Sequence, residues 1–458
     1  MLDTIIIGGG VAGLTAALDL HRAGRRVLLL EAGDEVGGNV GTLASGGYRM
    51  ERGPHSFMGS AEHVWRLVDE LGLEDQVEEA APVGSNRYIF RHGRLHALPL
   101  SAGAFLGTRL LSLRGKARLA LEPLWPAGGT VDDSAWDFFV RRFGEEAASW
   151  IMSPFISGIY AGDIHALGAR AAFGKFWRFE QESGSMIRGA MRYMRDKKRR
   201  LAAEGRPLRK GLFTIYRGIG GLSATLGARL SHQIQVDTPV QEVSLGPEGG
   251  LRVAWAGGVA EARSVVIAAP PPRASAMLAA AAPGAADALD EIPLVRVVVV
   301  HWSPVSEDAG PWPKGFGALI PRQEGLRVLG TLFPSQLFEG RAPEGRRLLT
   351  SYYGGALDPD AATLPDDELL ACVRDEHTKL FGFDPGEIDP IAVLRYEHAI
   401  PQLLPGHPEV VDRLRTATGQ LPGLFLAGNY LTGVGIENAV ESGYQAAAEV
   451  TCWLEATP

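Results

Sequence analysis

Short apolar runs, each cut off by glycine or proline, alternate along this chain with stretches of helical spacing. Leu2 to Ile7 is one such run, a strand by its length and β-branched content. After three glycines the period changes: Leu14, Ala17, Leu18 and His21 share one face of a helix that stops at Gly24. Arg26 to Leu30 is a second strand and ends in Glu31. Residues 86–99 read as a hairpin turning at Gly93. From Ser101 to about Gly205 the spacing is helical, with Leu106, Leu110, Leu113, Ala117, Leu121 and Leu124 in one stripe beside Arg109 and Lys116. That stripe suits a core helix under a solvated face, or an amphipathic helix lying in a membrane surface. The cation run Arg195, Lys197, Lys198, Arg199, Arg200 reads as a solvated helix end.

Gly218-Ile219-Gly220-Gly221-Leu222 opens another helix, Ile234 to Val243 is a strand and turn, and Val265 to Ala269 is a buried strand. Between Pro271 and Gly419 β-type runs dominate: Val295 to His301, Gly315 to Pro321, Val328 to Phe333, Leu348 to Tyr353 and Ile391 to Tyr396. One helix, Asp366 to Phe381, interrupts them, and an antiparallel sheet is expected. Leu424 to Ala427 is again a strand. It leads through Gly428-Asn429 and Gly433-Val434-Gly435 into a helix over Glu437 to Leu454.

Composition narrows the possibilities. A chain of 458 residues that is 46% hydrophobic can bury two or three cores. A net charge of −8 argues against nucleic acid as the main partner. Cys372 and Cys452 stand far apart without metal-ligand spacing, so neither a disulfide framework nor a metal site is expected, which suits a reducing compartment. No signal segment is expected ahead of a strand that begins at residue 2, and the apolar runs are too short to span a bilayer.

The candidate chemistry lies in the glycines. Gly8-Gly9-Gly10-Val11-Ala12-Gly13 follows a strand and opens a helix, and Glu31 comes eighteen positions later at the end of the next strand. This is the dinucleotide-binding arrangement. Gly8 makes the tight turn, Gly10 lets backbone approach a pyrophosphate, Gly13 lets helix pack on strand, and Glu31 accepts from a ribose. Gly37-Gly38 and the polar turn Met50 to Phe57 follow, where a flavin diphosphate would continue. A second glycine turn opening a helix near the end implies one discontinuous cofactor domain. The N-terminus of that helix would stabilise negative charge on a reduced flavin.

These strings resemble the family of flavoprotein amine oxidases, porphyrinogen oxidases and carotene desaturases. Four of them narrow the resemblance to oxygen-dependent protoporphyrinogen oxidases: Gly53-Pro54-His55-Ser56-Phe57, Phe155 to Asp163, Gly330-Thr331-Leu332-Phe333-Pro334, and Ala399-Ile400-Pro401-Gln402. The resemblance implies an α/β fold, α+β overall. Its parts would be a discontinuous Rossmann-like FAD-binding domain (1–85, 206–270, 420–458), an antiparallel-sheet substrate domain (86–100, 271–419) and a helical membrane-associating domain (101–205). It implies non-covalent FAD held by residues Gly8 to Gly13, Glu31, Ala32, Gly38, Asn39, Gly53, Pro54, His55, Ser56, Val240, Tyr396, Asn429, Val434, Gly435 and Ile436. His55 replaces an asparagine, and Tyr396 stands where relatives often carry tryptophan.

For the substrate the resemblance implies Arg87 on a propionate, Leu319 and Tyr352 on either side of a tetrapyrrole ring, and the Gly158 backbone lining the slot. Without it, an exposed strand arginine is the lesser alternative for Arg87, and core packing is the commoner fate of residues such as Leu319 and Tyr352. No side-chain catalyst is implied, because the flavin takes the hydride and dioxygen is the acceptor. Coproporphyrinogen is the alternative substrate, which Arg87 disfavours; an amine or a carotenoid is a more distant one. The resemblance also implies a cytoplasmic protein, peripheral on the inner face of the cell membrane, with a homodimer and hand-off of product to ferrochelatase as further expectations.

Overall fold

The Leu2–Ile7 strand is the hub of a seven-stranded sheet. Its parallel part runs Ile234–Gln235, Val27–Leu30, Leu2–Ile7, Gly258–Ile267, Leu424–Leu426, so strands from the beginning, middle and end of the chain meet side by side. Ile5 pairs with both Leu28 and Val265. Ile5 and Ile6 are fully buried on opposite faces, which is why the run is uniformly apolar rather than alternating. Leu251–Trp255 and Val240–Leu245 continue the sheet antiparallel from Gly258–Ile267. The structure is a computed structural model that describes residues 2–247, 249–305, 311–382, 384 and 388–457. Parts of the expected domain ranges (Met1, Glu248, residues 306–310, 383, 385–387 and Pro458) lie outside these residues.

One face of the sheet is covered by helices Val11–Arg22, Glu62–Leu71, Gly220–Arg229 and Ile436–Ala456. The other is covered by Pro271–Leu278, Pro283–Asp290 and His407–Thr418, through Met277, Leu278, Ala285, Leu289 and Leu414. These last three helices lie within 271–419, where the sequence reading expects strands.

The second sheet also has seven strands, in the order Ile388–Pro401, Leu294–Pro304, Leu349–Gly354, Gly330–Leu332, Gly317–Leu319, Arg87–Arg91, Arg94–Ala97. It is mixed rather than antiparallel throughout: Gly317–Leu319 pairs parallel with Arg87–Arg91, through which the early hairpin joins the sheet. Alternation along the long central strand sorts its faces. Val298, Val300 and Trp302 pack with Tyr353 under the Asp366–Phe381 helix. Val295, Val297 and Val299 face the other way, with Tyr352, Leu394 and Tyr396.

Residues 101–203 are helical, but the leucine stripe is not one helix. Ser101 and Ser112 cap separate helices, Ala102–Gly107 and Leu113–Ala120, and Glu122–Leu124 is a single tight turn. Leu110 is buried, whereas Leu106, Leu113 and Leu124 are 72%, 83% and 74% exposed. The stripe therefore does not serve as a core. Lys116 is folded inward, donating to the Leu106 carbonyl at 2.7 Å. Within the cation run, Lys197 is buried against Glu62 at 2.9 Å, and its neighbours are exposed.

Candidate functional site

The first glycine turn is built as the spacing predicts. Gly8 has φ +108°, and a Cβ there would meet the Ala268 carbonyl oxygen at 2.8 Å. A Cβ on Gly13 would overlap the Gly8 carbonyl, so helix and strand approach as closely as backbone permits. Beyond Gly10 there is open space, and no side chain caps the helix that starts at Val11. Its first N–H groups are thus free for an anion, at the positive end of a helix of 12 residues.

Glu31 is fixed by backbone amides: Gly9 N–H donates to Oε2 at 2.5 Å and Gly33 N–H to Oε1 at 2.8 Å. Both carboxylate oxygens keep a lone pair for ribose hydroxyls. The Thr238 N–H donates to the Glu31 carbonyl and the Asp237 N–H to the Gly33 carbonyl, each at 2.8 Å. These bonds carry the start of the Val240–Leu245 strand to the side of the Glu31-Ala32-Gly33 turn. Gly38 lies beside the first glycine turn, 3.4 Å from Gly10 Cα to a Cβ built on it, and Gly37 N–H donates to the Gly9 carbonyl at 2.7 Å. Gly53 in turn packs on Asn39, whose carbonyl would be 2.7 Å from a Cβ there. The segments holding Gly8 to Gly13, Glu31, Gly38, Asn39, Gly53 and Val240 are therefore linked into one cradle.

The second glycine turn closes the same region from the far end of the chain. Gly435 precedes the Ile436–Ala456 helix without a side-chain cap, and Ile436 packs in the core that holds Val11 and Ala12. Asn429 starts the turn, its carbonyl accepting from Gly433 N–H at 2.9 Å. Val434 packs instead against the helical block, near Leu403.

The Arg52–Ser56 loop runs between this cradle and the second sheet, and two tyrosines hold it. Tyr396 Oη donates to the Arg52 carbonyl at 2.6 Å, and Tyr352 Oη lies 2.9 Å from His55 Nε2. Burial, with His301 and Arg341 nearby, holds the His55 imidazole well below its ordinary range, so it is neutral. Burial likewise pushes the Tyr352 phenol up. His301 bonds Thr350 Oγ1 at 2.9 Å and is pushed down to about 4 by burial.

Met50 to Phe57 is not all turn. Tyr48–Glu51 is a strand, and Glu51 is 1% exposed. Its carboxylate is paired with buried Arg341 and accepts from Thr42 Oγ1 at 2.5 Å and Ile219 N–H at 3.0 Å. Sequence reasoning missed this pair because its members are 290 positions apart; a lone acid ending an apolar strand was the only local sign.

Across the second sheet one row of paired residues runs Leu319, Gly330, Tyr352, Val299, Leu394. Leu319 and Tyr352 share a face with only Gly330 between them, so their backbones are roughly 10 Å apart, twice the strand spacing. Leu319 Cδ2 leans over the glycine, 3.3 Å from a Cβ built on Gly330, so a flat ring entering between Leu319 and Tyr352 must turn that side chain aside. Gly158, in the Ser153–Tyr160 helix, roofs the gap: a Cβ there would overlap Leu319 Cδ2. Arg87, paired with Gly317, lies two positions from Ile89 and so on the same face as Leu319. Its guanidinium is exposed, 5.1 Å over the Phe316 ring, with no ion-pair partner among the described residues. A cavity of about 660 Å³ lies elsewhere, between Glu35–Gly41 and the Gly220–Arg229 helix; of the expected site residues it touches Gly38 alone.

The sequence profile of flavin containing amine oxidoreductases matches residues 11–451. The chain belongs to that family. It is a flavin-dependent oxidoreductase, and the glycine cradle with its open helix N-terminus fits the cofactor's diphosphate. Within the family, the chain is 32% identical to the chloroplastic protoporphyrinogen oxidase of Nicotiana tabacum, over 99% of this chain and 86% of that one. It is 30% identical to the coproporphyrinogen III oxidase of Bacillus subtilis (strain 168), over 98% of both. Among solved structures, an Exiguobacterium sp. 255-15 protein carrying the protoporphyrinogen oxidase name superposes with a TM-score of 0.81 at 25% identity, over 99% of each chain.

Proposed function

We propose that this flavoenzyme oxidises a porphyrinogen to the porphyrin in tetrapyrrole biosynthesis, with FAD held non-covalently. The observation that carries this reading is the glycine-spaced gap between Leu319 and Tyr352, roofed by Gly158 and facing the Arg52–Ser56 loop. A bound FAD would supply a two-electron acceptor for each hydride and proton pair that the macrocycle loses, with dioxygen as the proposed reoxidant leaving as hydrogen peroxide. The protein's own part is placement. Leu319, Tyr352, Val297 and Val299 offer a flat apolar wall that excludes water, and Arg87 offers a forked cation to a propionate at the rim. Glu31 would hold the adenosine end, the N-terminus of the Val11–Arg22 helix the central diphosphate, and that of the Ile436–Ala456 helix the negative charge of the reduced ring. Non-covalent attachment is supported by the cysteines, since Cys372 packs behind the sheet and Cys452 is exposed on the last helix.

Protoporphyrinogen is the preferred substrate in this proposal, because by the resemblance relatives that use the more acidic ring often lack an arginine at the place of Arg87. The similarity to a coproporphyrinogen III oxidase keeps the more acidic ring as the second reading. Mixing the oxidised protein anaerobically with each porphyrinogen in turn distinguishes them: rapid bleaching of the flavin by one and slow bleaching by the other names the substrate. Flavin that neither compound bleaches removes the proposal. We further propose that exposed Leu106, Leu113, Leu121, Leu124 and Trp125, with Arg109 and Arg114 nearby, rest on an anionic membrane face. Among the described residues no helix is long and apolar enough to cross a membrane. Equal sedimentation with neutral and anionic vesicles would contradict that docking.

A further inference from the structure

The cavity of about 660 Å³ between Glu35–Gly41 and the Gly220–Arg229 helix stands apart from the Leu319–Tyr352 gap, and of the expected cofactor residues it touches Gly38 alone. Its volume is that of a small-molecule site. Gly220, Ala224 and Gly227 line it along one side of the helix, so it runs roughly 10 Å at 1.5 Å per residue, and then past Ser231 to Ile234. The two ends of this groove differ in chemistry.

One end is cationic. Thr42 Oγ1 accepts from the Gly220 N–H at 3.0 Å, which sets the paired strands Thr42–Ser45 and Tyr48–Glu51 beside the start of the helix. Arg49, paired with Ala44, and Arg217, just ahead of the helix, line this end together with Arg52. Glu35 neutralises Arg52 in an ion pair. Arg49 donates to the Gly340 carbonyl at 2.9 Å and has no carboxylate partner among the described residues. Exposed Arg217 has only the Tyr216 ring near it, 5.4 Å from Cζ, and holds φ +67°, a backbone that glycine would adopt more easily. Two uncompensated guanidinium groups thus stand at the positive end of a helix of 10 residues.

The other end is neutral. Ile234–Gln235 is the edge strand of the first sheet. The Gln233 and Gln235 carbonyls accept from the Leu29 and Glu31 N–H groups at 2.7 and 2.9 Å, so the N–H and C=O of Ile234 between them point to the free edge. Ile234 lines the cavity with Val36 and Val236, which places one backbone donor and one acceptor among aliphatic side chains.

We propose that this groove binds a phosphate monoester with an uncharged, hydrogen-bonding body, the chemistry of a nucleoside monophosphate. A charge of about −1.5 to −2 matches the two free arginines, whose planar forks suit phosphate oxygens. A single carboxylate would leave one guanidinium unmatched, and a bare phosphate would leave most of the groove empty. The nucleobase reaches the Ile234 edge and packs on Val36 and Val236. The groove is separate from the cofactor cradle, so nucleotide and flavin are bound together.

The test is calorimetric titration of the flavin-loaded protein, with free flavin in excess and at low salt, using adenosine monophosphate, adenosine and inorganic phosphate. One nucleotide per chain is expected, with the flavin spectrum unchanged, and adenosine and inorganic phosphate at least tenfold weaker because each reaches only one end. Arg49→Gln and Arg217→Asn are each expected to weaken nucleotide binding about tenfold with flavin retained; asparagine tolerates the left-handed backbone at 217. No binding at millimolar nucleotide, inorganic phosphate bound as tightly as nucleotide, release of flavin on binding, or arginine variants that bind like wild type overturns the proposal. Should the variants not fold, a density map of the wild-type protein with the nucleotide decides: a phosphate between Arg49 and Arg217 supports it, and an empty groove or a nucleotide seated elsewhere overturns it.

Discussion

Replacing Arg341 by methionine breaks a buried pair at the end of the strand that leads into the Arg52–Ser56 loop. Arg341 and Glu51 are 2% and 1% exposed, and the arginine also donates to Thr214 Oγ1 at 3.2 Å. Methionine fills much of the same volume but leaves the Glu51 carboxylate buried with only Thr42 and the Ile219 amide to face it. Breaking a buried pair from one side costs about 3–5 kcal/mol, against a net value near zero for the intact pair. Glu51 is the last residue of the strand that leads into the Arg52–Ser56 loop, so the first symptom is flavin release rather than global unfolding. If about 1.4 kcal/mol of the loss falls on that loop, flavin affinity drops tenfold. The assay is the temperature of flavin fluorescence release, with flavin affinity measured alongside. Adding Glu51→Gln to Arg341→Met removes the stranded charge and recovers most of the loss. A single variant as stable as wild type, or a Gln that makes matters worse by a full additive increment, refutes the reasoning.

Gly158→Val pushes its side chain into Leu319 and narrows the gap, so kcat/KM falls at least tenfold while flavin content and spectrum stay as in wild type; loss of flavin instead would place Gly158 in the wrong part of the site. Arg87→Ala removes charged hydrogen bonds of about 1.5–3 kcal/mol from a propionate, roughly 10- to 150-fold, carried mostly by KM; unchanged steady-state kinetics remove Arg87 from the slot. Acid sensitivity follows from His301 and His377, both pushed down to about 4 by burial against an ordinary value of 6.5. Below pH 6.5 the unfolded chain takes up protons that the folded chain refuses, so stability present above 6.5 is lost as pH falls toward 4, roughly 3 kcal/mol per histidine. His301→Gln flattens the plot of stability against pH by about one proton in that window, and an unchanged slope would show that His301 is charged in the fold.

The glycine turn was legible because its chemistry is local. Strand, Gly8, Gly10, Gly13 and Glu31 lie within thirty residues, and each answers to a backbone requirement that spacing alone reveals. The proposed slot was legible only by resemblance. Leu319 and Tyr352 become walls through the pairing of both strands with Gly330, and register between distant strands leaves no mark on either one. The parallel step between Gly317–Leu319 and Arg87–Arg91 was hidden for the same reason. Helices Pro271–Leu278 and Pro283–Asp290 escaped notice because each is only two turns long, and in the second alanine supplies most of the buried face, which blunts the contrast that marks an amphipathic helix. The leucine stripe misled in the opposite sense: its period is helical, but Ser112 caps a new helix in the middle of it. His55 was marked by its departure from the usual asparagine, yet its partner Tyr352 lies 297 positions away.

The most direct test is a density map of the purified protein with its bound cofactor. The account predicts a diphosphate against Gly10 and the start of the Val11–Arg22 helix, adenosine hydroxyls on Glu31, and an isoalloxazine beside Gly53 to Ser56, facing the Leu319–Tyr352 gap. A cofactor bound with its ring away from that gap, or a gap filled by side chains once the cofactor is in place, would contradict it.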